Sequence, residues 1–300
     1  MNKVYSVIIP FKEKISLLKR LVESVPERED IEIVIVNNGE EELSESFLSD
    51  RTNVTILCSN TVKGAGHARN AGLQIASGKW LLFADADDFF LPVAFEVFDA
   101  YKNSSADIIY FDVSSCYSDS LLPAKRGRHV NQLIRQYVDT NGKNAEDLRY
   151  KYLVPWGKMI RLEMVRAFRI GFEEVPVYND VLFSLQTGHY AHTVQGAGMC
   201  VYCVTETSDS LDHRKSKEYL LTRYEVQLRR SIFLSAVGKN CYQTPFMLYY
   251  WMSALQYGPG YLLFFIRLAL RNRVSLFVGW QNISSVLLSF RHKNKRVKKR

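Results

Sequence analysis

Three hundred residues with 47% hydrophobic content suffice for one large α/β domain with appendages, or for two small ones. Five cysteines show no paired framework, which excludes a disulfide scaffold. The net charge of +8 conceals a polarised chain. No Asp or Glu follows Glu225, while residues 226–300 hold 13 Lys and Arg, leaving residues 1–225 with 26 basic and 31 acidic residues, a net of −5. An acidic body without a reader motif argues against a nucleic-acid partner.

The N-terminus runs directly into strand-like sequence, with no apolar signal segment, so a reducing, cytoplasmic setting is expected. Val4 to Pro10 is a β-branched run ended by proline, a first strand feeding a loop at Phe11-Lys12. Ile15, Leu18, Leu21, Val22 and Val25 have helical spacing. Ile31 to Val36 predicts a second buried strand, stopped by Asn37-Asn38-Gly39. Glu40 to Leu48 suits a short helix and Val54 to Leu57 a third strand. Strands alternating with helices predict βαβ units and a right-handed, mostly parallel sheet.

Lys63-Gly-Ala-Gly-His-Ala-Arg-Asn-Ala-Gly72 matches neither G-x-G-x-x-G nor the P-loop pattern. A helix from near Gly66 would still aim amides and Arg69 at an anion; an ordinary helix entry with a surface arginine is the other reading of these residues. Trp80 to Ala84 is a short apolar run, a buried strand, and at its end come Asp85, Asp87 and Asp88. Like charges this close repel unless something positive lies between them. A hard divalent cation bridging to a phosphate would supply that charge; a solvated turn with an acidic helix cap is the other reading. Pro92 stands where a helix to Tyr101 could begin. Asp107 to Asp112 is another strand, and residues 114–150 read as polar and turn-rich, with Lys125-Arg-Gly-Arg128 as an exposed loop. Val154 to Ile160 is mixed, Phe172 to Phe183 leads into a helix capped near Asn179 or Asp180, Ala197 to Thr205 is a late strand, and Ser216 to Ala236 a helix. Cys200-x-x-Cys203 lies inside that strand and has no second ligand pair.

These residues, in this order, resemble the family 2 inverting glycosyltransferases of the GT-A fold. Ser6-Val-Ile-Ile-Pro-Phe-Lys12 is similar to the family's opening strand, Ile35-Val-Asn-Asn-Gly39 to its V-D-D-G element, and Gly66-His-Ala-Arg-Asn-Ala-Gly72 to its A-R-N-x-G helix. Gly78 to Asp88 with Pro92 is similar to its strand and D-x-D-D block, and Phe172-Glu-Glu through Asn179-Asp-Val-Leu-Phe183 to its acceptor-side element. The resemblance covers residues 3–210. It implies an enzyme moving a hexose from a nucleotide-diphosphate sugar, a UDP-sugar favoured, onto a glycan or polyprenyl-linked acceptor with inversion, in surface polysaccharide assembly. Asp85 and Asp87 would engage ribose and a divalent metal, Mn2+ or Mg2+. Pro10, Phe11, Lys12 and Asn37 would frame the base and ribose, with Arg69 near the diphosphate or donor sugar. Asp180 would be the general base, tuned by burial or a neighbouring charge. His213 is a candidate third metal ligand or a surface histidine; Lys158 would contact donor or acceptor, or open a helix and pack over Trp156. Asn37-Asn38 departs from the usual acidic pair, and Asn179 from the usual Glu. Two rivals are a sugar-phosphate nucleotidyltransferase, for which Pro10-Phe-Lys-Glu13 lacks the glycine-rich loop, and a non-catalytic sugar-nucleotide-binding scaffold.

From Cys241 to Ile266 there is no charge, but Pro245 and Gly258-Pro-Gly260 interrupt the run, and neither piece reaches the ~20 residues a membrane span requires. Aromatic-rich helices beside Arg267, Arg271, Arg273 and the basic end from Arg291 to Arg300 suit an anionic membrane surface; a helical subdomain packed on the core is the alternative. The expected organisation is a GT-A catalytic domain over residues 1–212 and a helical, membrane-associating extension over 213–300, peripheral on the inner face of the plasma membrane.

Overall fold

A computed structural model describes residues 3–39, 43, 50–58, 64–206 and 216–282. The chain divides into two compact units, Met1–His213 and Arg214–Arg300. The expected helix at 40–48 lies, Leu43 apart, outside the described residues.

The first unit is built on one mixed sheet. β1 (Tyr5–Phe11), β2 (Ile31–Asn37), β3 (Val54–Cys58) and β4 (Trp80–Phe83) run parallel. Continuing across the sheet come β7 (Lys158–Arg161), β6 (Ile108–Tyr117), β8 (Val194–Glu206) and β5 (Phe89–Phe90), in the order β3-β2-β1-β4-β7-β6-β8-β5. β7 lies antiparallel between β4 and β6, and β5 antiparallel on β8, whereas β6 and β8 are parallel. Strands covered on both faces read as continuous apolar runs, and β4 is buried at all four positions. Pro10 fits within β1 because pairing with β4 stops at Ile8; the side on which proline lacks a donor needs none there.

Helices α1 (Ile15–Glu23), α2 (Ala65–Ile75) and α3 (Ala94–Tyr101) follow the strands as expected. Leu18, Leu21 and Val22 bury the inner stripe of α1. Residues 114–150 correct the polar-loop expectation. β6 continues to Tyr117, and α4 (Arg128–Asp139) and α5 (Ala145–Lys151) follow. In α4 only Val130, Leu133 and Ile134 are buried, one narrow stripe at i, i+3, i+4; the polar residues that suggested a loop are its solvated side. Lys158 opens a strand and not a helix. α6 (Leu162–Ala167) and α7 (Val181–Tyr190) complete the unit. All five cysteines are free thiols, with Cys200 and Cys203 inside β8.

The second unit is helical: α8 (Lys217–Ala236), α9 (Met247–Leu255) and α10 (Pro259–Arg271). The Ser216 side chain accepts the Tyr219 N–H and caps α8. Gly258, at φ 104°, and Pro259 in the first turn start α10. Tyr224 forms the centre of the core: its ring stacks on Phe265 at 4.3 Å, and its hydroxyl donates to the Phe265 carbonyl at 3.0 Å. Among the described residues no helix is long and apolar enough to cross a membrane.

Candidate active site

The parallel strands β1, β2 and β4 end side by side, where open α/β sheets bind ligands. Phe11 and Asn37 are in register at the ends of β1 and β2, and the Asn38 N–H donates to the Phe11 carbonyl at 2.7 Å. Asn37 Oδ1 accepts the Gly39 N–H at 3.1 Å. A Cβ on Gly39 would overlap the Lys12 carbonyl, so only glycine lets the two loops approach this closely. Pro10 is half-buried, Phe11 and Asn37 are buried, and Lys12 is exposed beyond them. The four candidate residues for base and ribose therefore form one continuous edge.

The A-R-N-A-G stretch sits on α2, and each residue has a different task. Gly72 packs on Ile8, whose Cγ2 would lie 2.6 Å from an added Cβ. Asn70 clamps the acceptor-side segment: its Nδ2 donates to the Phe172 carbonyl at 2.9 Å, and its Oδ1 accepts the Phe172 N–H at 2.7 Å. Gly66 faces the Glu173 carbonyl, which a Cβ would strike. Arg69 is 5% exposed. Its Nη2 donates to Asp85 Oδ1 at 2.5 Å and its Nη1 to Asn179 Oδ1 at 2.6 Å, with the guanidinium 5.2 Å from the Phe172 ring centre. One buried guanidinium thus joins the end of β4 to the start of α7. In this arrangement Arg69 neutralises Asp85 from inside the protein.

The Asp85–Asp88 turn is closed by the Asp88 N–H donating to the Asp85 carbonyl at 2.9 Å. Its three carboxylates part company. Asp88 is buried, accepts the Tyr202 hydroxyl at 2.9 Å and the Thr205 N–H at 2.7 Å, and is pushed well above the ordinary carboxylate range by burial and then by Asp87 and Asp85. The helix-cap reading of Asp88 is corrected: α3 begins after Val93 without a side-chain cap, because Asp88 turns inward to β8. Asp87 is half-buried and raised from its ordinary value by burial first and Asp85 second, with Arg126 and Lys14 pulling the other way. Arg20 Nη2 donates to the Asp87 carbonyl at 2.5 Å, and Thr205 Oγ1 to the same carbonyl at 2.9 Å. Arg126, expected in a plain exposed loop, donates from Nη1 to the Thr205 carbonyl at 3.0 Å and so carries its charge toward the turn. Among the described residues no group of three or more His, Cys, Asp or Glu is arranged to hold a metal ion; His213 lies outside them.

Across the site, Tyr178 adopts φ 60° and the chain enters α7 at Asn179 and Asp180. Asn179 faces Arg69, and its carbonyl accepts the Glu173 N–H at 3.1 Å. Asp180 occupies the cap position of α7, half-buried, and its side chain makes no capping hydrogen bond. Behind it lies Lys158, 2% exposed. Its Nζ donates to the Tyr152 carbonyl at 2.9 Å and sits 4.7 Å from the Tyr152 and 5.1 Å from the Tyr110 ring centres. Trp156 is not the ring it packs on. Burial lowers the Lys158 ammonium to about 7, and Asp180 opposes that fall. Buried in this way, Lys158 is tied electrostatically to Asp180.

Tyr202 and Thr205 are the functional neighbours that sequence reasoning missed; their only signal was alternation within a late strand, which says nothing of a carboxylate over a hundred residues away.

Residues 6–168 match Glycosyl transferase family 2. The chain belongs to that family. Within it, the chain is similar to the uncharacterized glycosyltransferase YibD of Escherichia coli K12, 32% identical over 265 residues, 83% of this chain and 74% of that protein. It is also similar to the uncharacterized glycosyltransferase EpsJ of Bacillus subtilis, 23% identical over 243 residues, 76% of this chain and 70% of that protein. Among solved structures, S. aureus TarS 1–349 superimposes with a TM-score of 0.57 at 18% identity, over 80% of this chain and 69% of that one; TarS in complex with UDP-GlcNAc gives 0.58 at 17%, over 80% and 70%. That likeness shows the fold: the mixed sheet is that of the GT-A neighbours. The class of this family 2 enzyme is glycosyltransferase.

Proposed function

We propose that this family 2 enzyme moves a hexose from a nucleotide-diphosphate donor, a UDP-sugar by preference, to a hydroxyl of a glycan or polyprenyl-linked acceptor with inversion at the anomeric carbon, in surface polysaccharide assembly. The observation that carries the reading is the Arg69 bridge, which joins Asp85 at the end of β4 to Asn179 beside Asp180. By tying the Asp85–Asp88 turn to the start of α7 it supports a donor turn and a remote carboxylate sharing one site, as inversion needs. The complexes of TarS with UDP and with UDP-GlcNAc support a donor of this class.

Pro10, Phe11, Lys12 and Asn37 frame base and ribose. Asp180 takes the proton of the acceptor hydroxyl as its oxygen bonds the anomeric carbon, and the bond from that carbon to the diphosphate breaks on the opposite face. Asp85 and Asp87 fit a divalent cation, Mn2+ or Mg2+. Asp87 is pressed by burial and by Asp85, and such ions take one or two carboxylates and complete their shell with water and substrate phosphates. When bound, the ion would supply charge to the leaving diphosphate.

A thermal-shift screen of nucleotide-diphosphate sugars, with and without Mn2+, tests donor and metal together, since a ligand that binds the native state raises apparent stability. Stabilisation by a UDP-sugar only with Mn2+ is expected. No stabilisation by any such donor, with or without the ion, sinks the reading. The anomeric configuration of the product, read by NMR, tests inversion.

A further inference from the structure

Two helices of the second unit bury one apolar side and leave another apolar side in solvent. In α9 the core takes Met247, Tyr250 and Ala254. Leu248, Tyr249, Met252 and Leu255, at i, i+1, i+4 and i+7, form the opposite stripe and are 46 to 61% exposed. In α10 the core takes Phe265 and Ala269, while Leu263, Phe264 and Leu270 remain exposed. Phe277 and Trp280 follow, both exposed, edge to face with ring centres 5.2 Å apart. Single exposed apolar residues are ordinary. Stripes at helical spacing on two successive helices are not, because a surface helix normally gives that face to charge.

The charges set among these stripes have one sign. Arg267 and Arg271 lie on the outer stripe of α10, at the same spacing as Leu263 and Leu270, and Arg273 follows. No carboxylate occurs anywhere after Glu225. A second copy laid stripe to stripe on this face would set arginine against arginine, and neither α9 nor α10 carries an acid to answer them. A surface of lipid phosphates offers the complement: apolar depth for Leu, Met and Phe, an interfacial layer suited to Tyr and Trp, and negative charge for the arginines.

We propose that the outer faces of α9 and α10 seat this protein on an anionic lipid surface, with Leu248, Met252, Leu263 and Phe264 entering the headgroup layer and Arg267 and Arg271 pairing with lipid phosphates. The contact lies along the surface, since among the described residues no helix is long and apolar enough to cross. The inference is independent of the reaction proposed above, because vesicle binding needs neither donor nor acceptor.

The test is co-sedimentation of the full chain with phosphatidylcholine vesicles, with and without about 30 mol% phosphatidylglycerol, at low and at high salt. Binding to the anionic vesicles, weakened by salt, is expected. Leu263→Gln with Phe264→Gln should lower partitioning about tenfold at either salt, while Arg267→Gln with Arg271→Gln should lower it about tenfold on anionic vesicles at low salt only. Melting temperature and sedimentation coefficient should not change in either variant. Variants that bind like the parent chain would overturn the proposal, as would a parent chain that does not bind. So would a loss of binding confined to a chain with the basic residues from Lys293 to Arg300 changed to Gln, because the tail alone would then carry the attraction. A stripe variant that converts a dimer to a monomer without altering vesicle binding would make the face a contact between copies, and also overturns it.

Discussion

At the end of β4, three carboxylates fall within four residues and their neighbours sort them. Asp88 is buried on Tyr202 and Thr205, Asp85 is held by Arg69, and Asp87 feels the charges of Arg126 and Lys14. At the start of α7 a single carboxylate, Asp180, stands at a helix cap it does not close, backed by a buried lysine. Arg69 touches the first region directly and the second only through Asn179. The difference teaches how one site keeps two acids apart in role: Asp88 is turned inward to tie the turn to β8, whereas Asp180 stands half-buried at a helix start, with a buried cation felt beside it.

The sharpest way to break that comparison is to remove the acid at the helix start. Asp180→Asn should lower transfer roughly 10²–10⁴-fold, the usual range for a positioned general base, with donor binding and melting temperature near those of the parent enzyme. Near-normal turnover would end the assignment. Removing the heavily held acid should do the reverse. Asp88→Ala leaves the Tyr202 hydroxyl and the Thr205 N–H without their partner in a buried place, at a cost of about 3 kcal/mol. Chemical denaturation measures it; a loss under ~1 kcal/mol would mean that the turn does not depend on β8.

Much of this arrangement was legible from residue order. Buried strands write themselves as β-branched runs, and α2 carries Gly66, Arg69, Asn70 and Gly72 at spacings that fit the resemblance. Other parts could not be read. The partners of Asp88 lie more than a hundred residues away in β8, and alternation within a strand does not name a distant acid. The α4 stripe is three residues wide, too narrow to register against its polar surroundings. Lys158 shows the limit most clearly: a lysine after Pro155-Trp-Gly157 reads as a ligand contact or as a helix start packing over Trp156, and only tertiary packing buries it beside Tyr110 and Tyr152.

A subtler substitution tests whether the two regions must be held together. Gly66→Ala sets a methyl against the Glu173 carbonyl and close to Asn179 Cβ. The segment carrying Asp180 must shift, and overpacking of this kind costs about 1–3 kcal/mol. Because Asp88 also ties the donor turn to β8, thermal shift by a nucleotide sugar should survive in Gly66→Ala while transfer falls at least tenfold, a milder version of Asp180→Asn. Equal loss of donor binding would show that the turn and the helix start are one rigid piece.

The smallest effect concerns what stands behind Asp180. Lys158 is lowered to about 7 by burial, whereas in the unfolded chain a lysine titrates near 10.4. Between those values the unfolded state binds more protons, so stability rises with pH across the window and has no slope from this group below it. From pH 7 to pH 9 the gain is about 2 kcal/mol. Lys158→Met keeps the length of the side chain and removes the charge, so its stability curve should lose that slope. Asp180 then loses the neighbouring cation that favours its ionised form, and the acidic limb of the transfer rate should move to higher pH with little change in donor affinity. An unchanged stability slope would show that Lys158 is solvated, and an unmoved acidic limb that its charge is not felt at Asp180.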